Sequence, residues 1–177
     1  MRNMKKLINA EKSDFGRIRS TYLEIINNTP NMKKYVKWEY GKHPNDDMLN
    51  KYIDDGDMYM FMENETILGV VALTFYQTEE YDSVDWKADA SGNEIMVVHL
   101  LGVTPKEQGN GYARKIIEAA LDEGRKRGAK VCRLDALSTN IPAQKLYEGI
   151  GFEYRETQEW YVQNVGWIDF CLYEYML

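Results

Sequence analysis

Residues 103–113 read Val-Thr-Pro-Lys-Glu-Gln-Gly-Asn-Gly-Tyr-Ala, with Gly109 and Gly111 placed just before an amphipathic stretch. Glycines at such a point let backbone N–H groups converge where side chains would block a ligand. A helix starting there adds unpaired N–H groups and a partial positive charge of roughly half a unit. The combination is an anion site suited to a phosphate or pyrophosphate. The Gly-x-Gly tripeptide alone also fits a plain strand-to-helix turn. No Gly-Lys-Ser/Thr follows, which excludes a P-loop, and the full dinucleotide fingerprint is missing. A second chemical candidate is His99, the one polar side chain in the apolar run from Ile95 to Val103. Histidine ionises near pH 6.5 and can relay a proton, although a satisfied core histidine explains the same position. Glu94, at the start of that run, is a weaker candidate for the same work. Cys132 and Cys171 have apolar neighbours and lie far apart, so neither a thiolate metal knuckle nor a disulfide framework is indicated. His43 and His99 form no recognisable ligand cluster, and no metal is expected.

The elements around the glycine loop follow from periodicity. The run Ile95–Val103, apolar on both faces, predicts a central strand covered on both sides. After the loop, Ala113, Ile116, Ile117, Ala120 and Leu121 recur at helical spacing. Arg125, Lys126 and Arg127 complement that helix's negative end, and Gly128 suits its C-terminal cap. A strand over residues 130–136 completes a crossover unit with parallel strands. A short helix over residues 141–148 leads through Gly151 into strands at 152–162 and 167–176, turning at 164–166. Upstream, Phe15, Ile18, Tyr22, Ile25 and Ile26 predict a helix from Phe15 to Asn28, with Ser13 or Asp14 as its cap. One or two short helices are expected within residues 31–57, capped by Asp46 or Asp47, followed by strands at 58–62 and 67–77. The polar stretch 78–93 breaks the pattern. With no repeat and no linker, residues 1–177 read as a single domain of α/β (α+β) class: a mixed, mostly antiparallel sheet flanked by helices, with one βαβ core.

The glycine segment resembles the acyl-CoA signature of the GNAT family of N-acetyltransferases, Gln/Arg-x-x-Gly-x-Gly/Ala. Here it reads Gln108, Gly109, Asn110, Gly111, Tyr112, Ala113, preceded by the usual Val-x-Pro at Val103 and Pro105. Residues 140–152 are similar to a second family motif, Asn-x-x-Ala-x-x-Leu-Tyr…Gly-Phe, with Asn140, Ala143, Leu146, Tyr147, Gly151 and Phe152 in register. The resemblance implies an acyl-CoA N-acyltransferase fold with acetyl-CoA as cosubstrate and direct transfer to a primary amine of a small molecule or peptide. It implies that backbone groups of residues 109–113 cradle the pyrophosphate and that Leu101, Gly102 and Val103 pair with the pantetheine arm like an added strand. Gln108 and Asn140 are implied in cofactor binding. Tyr147 matches the position that often protonates the departing thiolate, against the alternative of a tyrosine packed under the sheet. Some family members place a catalytic histidine on the strand that carries His99. An N–H near Leu101 would stabilise the developing oxyanion. The alternative function is a non-catalytic acyl-CoA-binding regulatory protein on the same fold.

Composition bounds the partners. The chain has 28 acidic against 22 basic residues, a net charge of -6, which disfavours phosphate backbones, and nucleic acid is not expected. No apolar stretch approaches membrane-spanning length and no signal peptide is visible, so a cytoplasmic protein is expected. The acidic run 79–89 either attracts a cationic amine or is a solvated loop. Tyr22, Trp38, Trp86, Trp160 and Trp167 are candidates to wall an acceptor pocket, and exposed aromatic strands near the C-terminus would suit a homodimer.

Overall fold

A computed structural model of the chain describes residues 4–177. In chain order the elements are β1 (Lys5–Asn9), α1 (Phe15–Asn28), α2 (Met32–Tyr35), α3 (Asp46–Asp54), β2 (Met58–Glu63), β3 (Thr66–Thr74) and α4 (Glu79–Asp82). They continue with β4 (Ile95–Val103), α5 (Tyr112–Lys126), β5 (Val131–Leu137), α6 (Ile141–Ile150), β6 (Glu153–Val162) and β7 (Gly166–Met176). The strands form one seven-stranded sheet in the order β1-β2-β3-β4-β5-β7-β6. Only β4 and β5 run parallel, as a strand–helix–strand crossover requires; every other pair is antiparallel. The mixed, mostly antiparallel sheet flanked by helices agrees with the sequence reading.

Side chains on the two faces of the sheet pack separate layers. On one face, Ile116, Ile117, Ala120 and Leu121 of α5 are buried against Leu73, Met96, Val98 and Leu134. On the other, Ile18, Tyr22 and Ile25 of α1 and Leu49 and Ile53 of α3 cover Met58, Met60, Val70 and Ala72. A third cluster forms where Tyr81 and Val84, from the segment between β3 and β4, cover Ile95, Val97, Val131 and Leu172. Each such aliphatic side chain contributes roughly 1.5–3 kcal/mol by leaving water.

Two irregularities open the sheet in its middle. The parallel ladder pairs Ile95 to Val98 with Val131 to Leu134, and goes no further. On the other side of β4, Ala72 pairs with His99 and Val70 with Gly102, so two residues of β4 oppose one of β3. The bulge is at Leu100, whose φ of 51° lies in the left-handed region, a conformation that costs a branched residue about 1–3 kcal/mol. The buried Tyr22 hydroxyl donates to the Leu100 carbonyl at 2.7 Å, holding the turned-out peptide from α1. Beyond the bulge β4 and β5 diverge, and backbone groups of β4 lose their partners on the β5 side.

The segment between β3 and β4 is latched to the sheet by a buried ion pair. Arg133 Nε donates to Glu174 Oε2 at 2.9 Å, with 2% and 1% of the two side chains exposed. Arg133 also donates to the Gln77 side chain and the Ala88 carbonyl, while Glu174 accepts from the backbone N–H groups of Lys87 and Ala88. Each guanidinium nitrogen and each carboxylate oxygen has a partner, which is what makes a buried pair tolerable.

Several local expectations shift. Strand β1 lies in a stretch left without an element in the sequence reading. The cap of α3 is Asn45, whose side chain accepts from Met48 N at 2.9 Å, rather than Asp46 or Asp47. Asp14 occupies the cap position of α1 without a side-chain capping bond, because its carboxylate takes the Glu11 N–H instead. The polar stretch 78–93 contains the short α4.

Candidate active site

At the head of α5, Gly109 and Gly111 have φ of 81° and 75°, where a side chain would be strained. A Cβ added at either would meet nothing within 4 Å, so glycine is needed there for backbone conformation and leaves the approach open. The first internal bond of α5 runs from Lys115 N to the Gly111 carbonyl, leaving the N–H groups before it free to receive an anion. The Gln108 side chain turns inward, donating to Thr29 Oγ1 at 2.8 Å and to the Val103 carbonyl at 3.1 Å. It braces the loop against the end of α1, and Gln108 also lines the cavity beside the loop. The Asn110 side chain is exposed.

The glycine loop opens into a cavity of about 1000 Å³ that continues through the gap between β4 and β5. Gly109, Gly111, Tyr112 and Ala113 line one end, and Leu101, Gly102 and Val103 line the gap. His99, Tyr147 and Asp135 face the same cavity. His99 lies one position beyond the last paired residue of β4 and Asp135 one position beyond its partner on β5, on the same face of the sheet. Their shared placement follows from the parallel register.

His99 is partly buried, stacked on Tyr52 with ring centroids 5.8 Å apart. Its Nε2 is 3.1 Å from Thr74 Oγ1, and that hydroxyl is 2.9 Å from the Tyr76 carbonyl. A hydroxyl has one proton, and a carbonyl can only accept it. Thr74 therefore accepts from His99, which fixes the neutral Nε2–H tautomer and leaves Nδ1 as the lone-pair nitrogen. Among the described residues nothing bonds Nδ1, and it is not sealed from the cavity. Burial, reinforced by the nearby His43, holds the pKa of His99 down to about 4, so the ring is neutral at pH 7.

Tyr147, on α6, packs its ring against Phe152 and Tyr173. Its hydroxyl bonds no described residue, yet it is not enclosed. Burial, then the Asp135 carboxylate, pushes its pKa above the usual tyrosine range and keeps the proton on. Asn140 caps α6, accepting from Ala143 N at 3.3 Å, and also lines the cavity. Asp135 accepts from the Tyr81 hydroxyl at 2.6 Å, and burial raises its pKa.

Other candidates lie elsewhere or play different parts. Glu94 is at the far end of β4, paired with Lys130 and bonded to Ser91 N. From the acidic run, Glu80 lines the cavity. Of the five aromatic candidates, Trp38 and Trp160 line it. Tyr22 lies beneath the Leu100 bulge, Trp86 packs behind Tyr81, and Trp167 is exposed and paired with Tyr161. Sequence reasoning missed Asp135, Tyr81, Tyr52 and Thr74. The one signal for Asp135 was a charged residue interrupting, with Arg133, a strand whose other positions are apolar. Both cysteines are buried and free. Among the described residues no helix is long and apolar enough to cross a membrane, and no cluster of His, Cys, Asp and Glu is placed to hold a metal.

Comparison with known proteins agrees with the fold. The fold is similar to that of a GNAT-family acetyltransferase from Streptococcus agalactiae, with a TM-score of 0.73 at 18% identity over 98% of this chain and 95% of that one. It is also similar to an acetyltransferase from Salmonella typhimurium solved with its cofactor acetyl-CoA, with a TM-score of 0.69 at 18% identity over 98% and 94% of the two chains. In sequence, 52 residues are 38% identical to the ribosomal protein bS18-alanine N-acetyltransferase of Haemophilus ducreyi, covering 29% of this chain and 36% of that protein. The match thus spans about a third of that relative's length. Residues 20–152 match the acetyltransferase (GNAT) family across the bulge, the glycine loop and α6, and the chain belongs to that family.

Proposed function

We propose that this protein is an acetyl-CoA-dependent N-acetyltransferase, acting on a primary amine of a small molecule or peptide. The observation that carries the reading is a single cavity that joins a helix-head anion site, an opened strand edge, a basic nitrogen and a protonated phenol. The N–H groups of residues 109–113 fit a pyrophosphate. The free edge of Leu101 to Val103 fits an extended amide-bearing arm, which would pair with β4 as a short added strand. Acetyl-CoA supplies an activated acyl group on a thiol leaving group. Asn140 supports the site by capping α6, which carries Tyr147.

The chain's own residues then divide the proton work. His99 Nδ1, neutral at pH 7, accepts a hydrogen bond from the incoming ammonium and hands its proton on to solvent, directly or through water, without being held as an imidazolium. The free amine forms its N–C bond as the C–S bond breaks. A β4 N–H near Leu101, unpaired by the splay, stabilises the oxyanion, an effect worth about 3 kcal/mol in other acyl transfers. Tyr147 gives its proton to the departing thiolate and regains one as the nitrogen sheds its second. Net, one amide, one thiol and one proton leave. A non-catalytic binding module has no use for a fixed histidine tautomer and an unbonded tyrosine hydroxyl facing one cavity, which favours the enzyme. Buried, free cysteines suit a single cytoplasmic domain, and the exposed Tyr161–Trp167 pair suits a homodimer contact.

The test is thiol release from acetyl-CoA across an amine panel, comparing wild type with His99→Gln and Tyr147→Phe. Amine-dependent release that falls at least tenfold in both variants supports the assignment. Release without amine dependence, or unchanged in both, contradicts it.

A further inference from the structure

The far end of the cavity, beyond His99, is built unlike the glycine end. Asp135 is a carboxylate at the mouth of the strand gap, with one oxygen held by the Tyr81 hydroxyl at 2.6 Å. Its other oxygen accepts from no described residue and is not enclosed, so it is left for a ligand. Around it the surface is aromatic. The Tyr81 ring meets Trp160 with centroids 5.5 Å apart, and Trp160 meets Phe170 at 5.2 Å. All four residues line the cavity. Tyr52 and Trp38 contribute further rings from the side of α1 and α3.

This wall is held in place from outside. Tyr81 is stacked on Trp86 at 5.6 Å, and Trp86 NH donates back to the Tyr81 carbonyl. The Arg133 guanidinium lies over Trp86, 4.4 Å from its ring centre, and joins the buried Glu174 pair. The rings and the carboxylate are thus prearranged, which lowers the ordering cost of binding.

We propose that this end of the cavity receives an amine with one ammonium group on an apolar, ring-sized body, the ammonium beside Asp135 and the body against Trp160 and Phe170. The inference rests on the acetyltransferase reading and narrows its acceptor. Asp135 is the partly buried carboxylate among these π faces, with the exposed Glu80 beside Tyr81 at the cavity wall. One ammonium on an apolar body suits it through charge and cation–π attraction. A polyamine would bury further ammonium groups against rings with few carboxylates to meet them. A peptide would leave amide groups there unpaired, at about 1–3 kcal/mol each. The register places His99 on the neighbouring strand, on the same face as Asp135. An ammonium held by Asp135 therefore enters the cavity that His99 also lines.

The experiment uses three probe amines with the full chain and acetyl-CoA: 2-phenylethylamine, spermidine and alaninamide. Thiol release gives kcat/KM, and calorimetry on the CoA-loaded protein gives binding without turnover. The expected result is that kcat/KM for 2-phenylethylamine exceeds the other two at least tenfold. Asp135→Asn should raise its KM at least tenfold with unchanged affinity for acetyl-CoA. Should Asp135→Asn fail to fold, Trp160→Leu serves, and it should erase the preference for 2-phenylethylamine over ethylamine. Preference for spermidine or alaninamide overturns the proposal. So does acetyl-CoA binding with neither binding nor turnover of 2-phenylethylamine, an outcome that leaves the acetyltransferase reading standing. Absence of acetyl-CoA binding overturns both.

Discussion

His99 Nε2 and Thr74 Oγ1 are 3.1 Å apart, and the Thr74 proton is already committed to the Tyr76 carbonyl at 2.9 Å. The threonine therefore decides which histidine nitrogen is basic, although it reaches no substrate itself. Thr74→Val removes the acceptor while keeping the branched shape. The expected effect is a fall in kcat of about tenfold, with KM for acetyl-CoA unchanged and activity restored in Thr74→Ser. Steady-state kinetics on the three proteins checks it, and the His99 ring 15N shifts should report mixed tautomers in the valine variant. Loss of His99 itself, as His99→Gln, should cost about 10²-fold or more in kcat.

The depressed pKa of His99 also makes a statement about stability. In the unfolded chain the imidazole titrates near 6.5, and in the folded protein burial and His43 hold it to about 4. Between those values the unfolded state binds more protons. The contribution is thus fully present above pH 6.5 and is lost as pH falls through 4. The groups facing the ring are Thr74, Tyr52 and His43, and His43 is itself held down by burial. Thermal unfolding from pH 7.5 to 4.5 should show a smaller loss of Tm in His99→Gln than in wild type. The acid limb of kcat should likewise lie well below pH 6.5.

Tyr147→Phe separates acid catalysis from packing. The ring contacts to Phe152 and Tyr173 survive, and the missing hydroxyl bonds no described residue. Stability should stay within about 0.5 kcal/mol, as for changes that break no contact. The fall in kcat should be about 10- to 100-fold, and smaller with a thioester whose thiol is more acidic. Equal loss with both thioesters would point to positioning in place of proton donation.

Much of this arrangement was legible before any coordinates. The run Ile95–Val103, Pro105, the two glycines and the 3.6-residue pattern of α5 gave the parallel unit, because each signal is local. His99 stood out as the one polar residue in an apolar strand. Asp135 did not, since its importance depends on where β4 and β5 stop pairing, and that depends on the Leu100 bulge and on Tyr22 from 78 positions away. The Tyr81–Asp135 bond spans 54 positions and has no local signature. Strand β1 escaped because Lys5–Asn9 is short, partly charged and stabilised only by pairing at a sheet edge. For Gln108, the motif gave the position but could not give the side chain's direction.

The Arg133–Glu174 pair should be worth more to the fold than surface pairs such as Lys87–Glu153, because both members are buried. Glu174→Gln leaves an uncompensated buried guanidinium and should cost about 3–5 kcal/mol in urea unfolding. The double replacement Arg133→Met with Glu174→Leu should recover part of that loss. Because the pair anchors the segment carrying Tyr81, amine KM should rise in the double variant while acetyl-CoA affinity holds.

The central claim is that the head of α5 and the opened edge of β4 bind an acyl-CoA. Calorimetric titration of the purified protein with acetyl-CoA and CoA tests it most directly, with Gly111→Glu alongside. A Cβ at Gly111 meets open space, so the variant should fold while placing a carboxylate in the anion site and straining the turn. The account predicts saturable binding at one site per chain, lost in the folded variant. Well-folded wild type that binds neither ligand, or a Gly111→Glu variant that binds both undiminished, would contradict it.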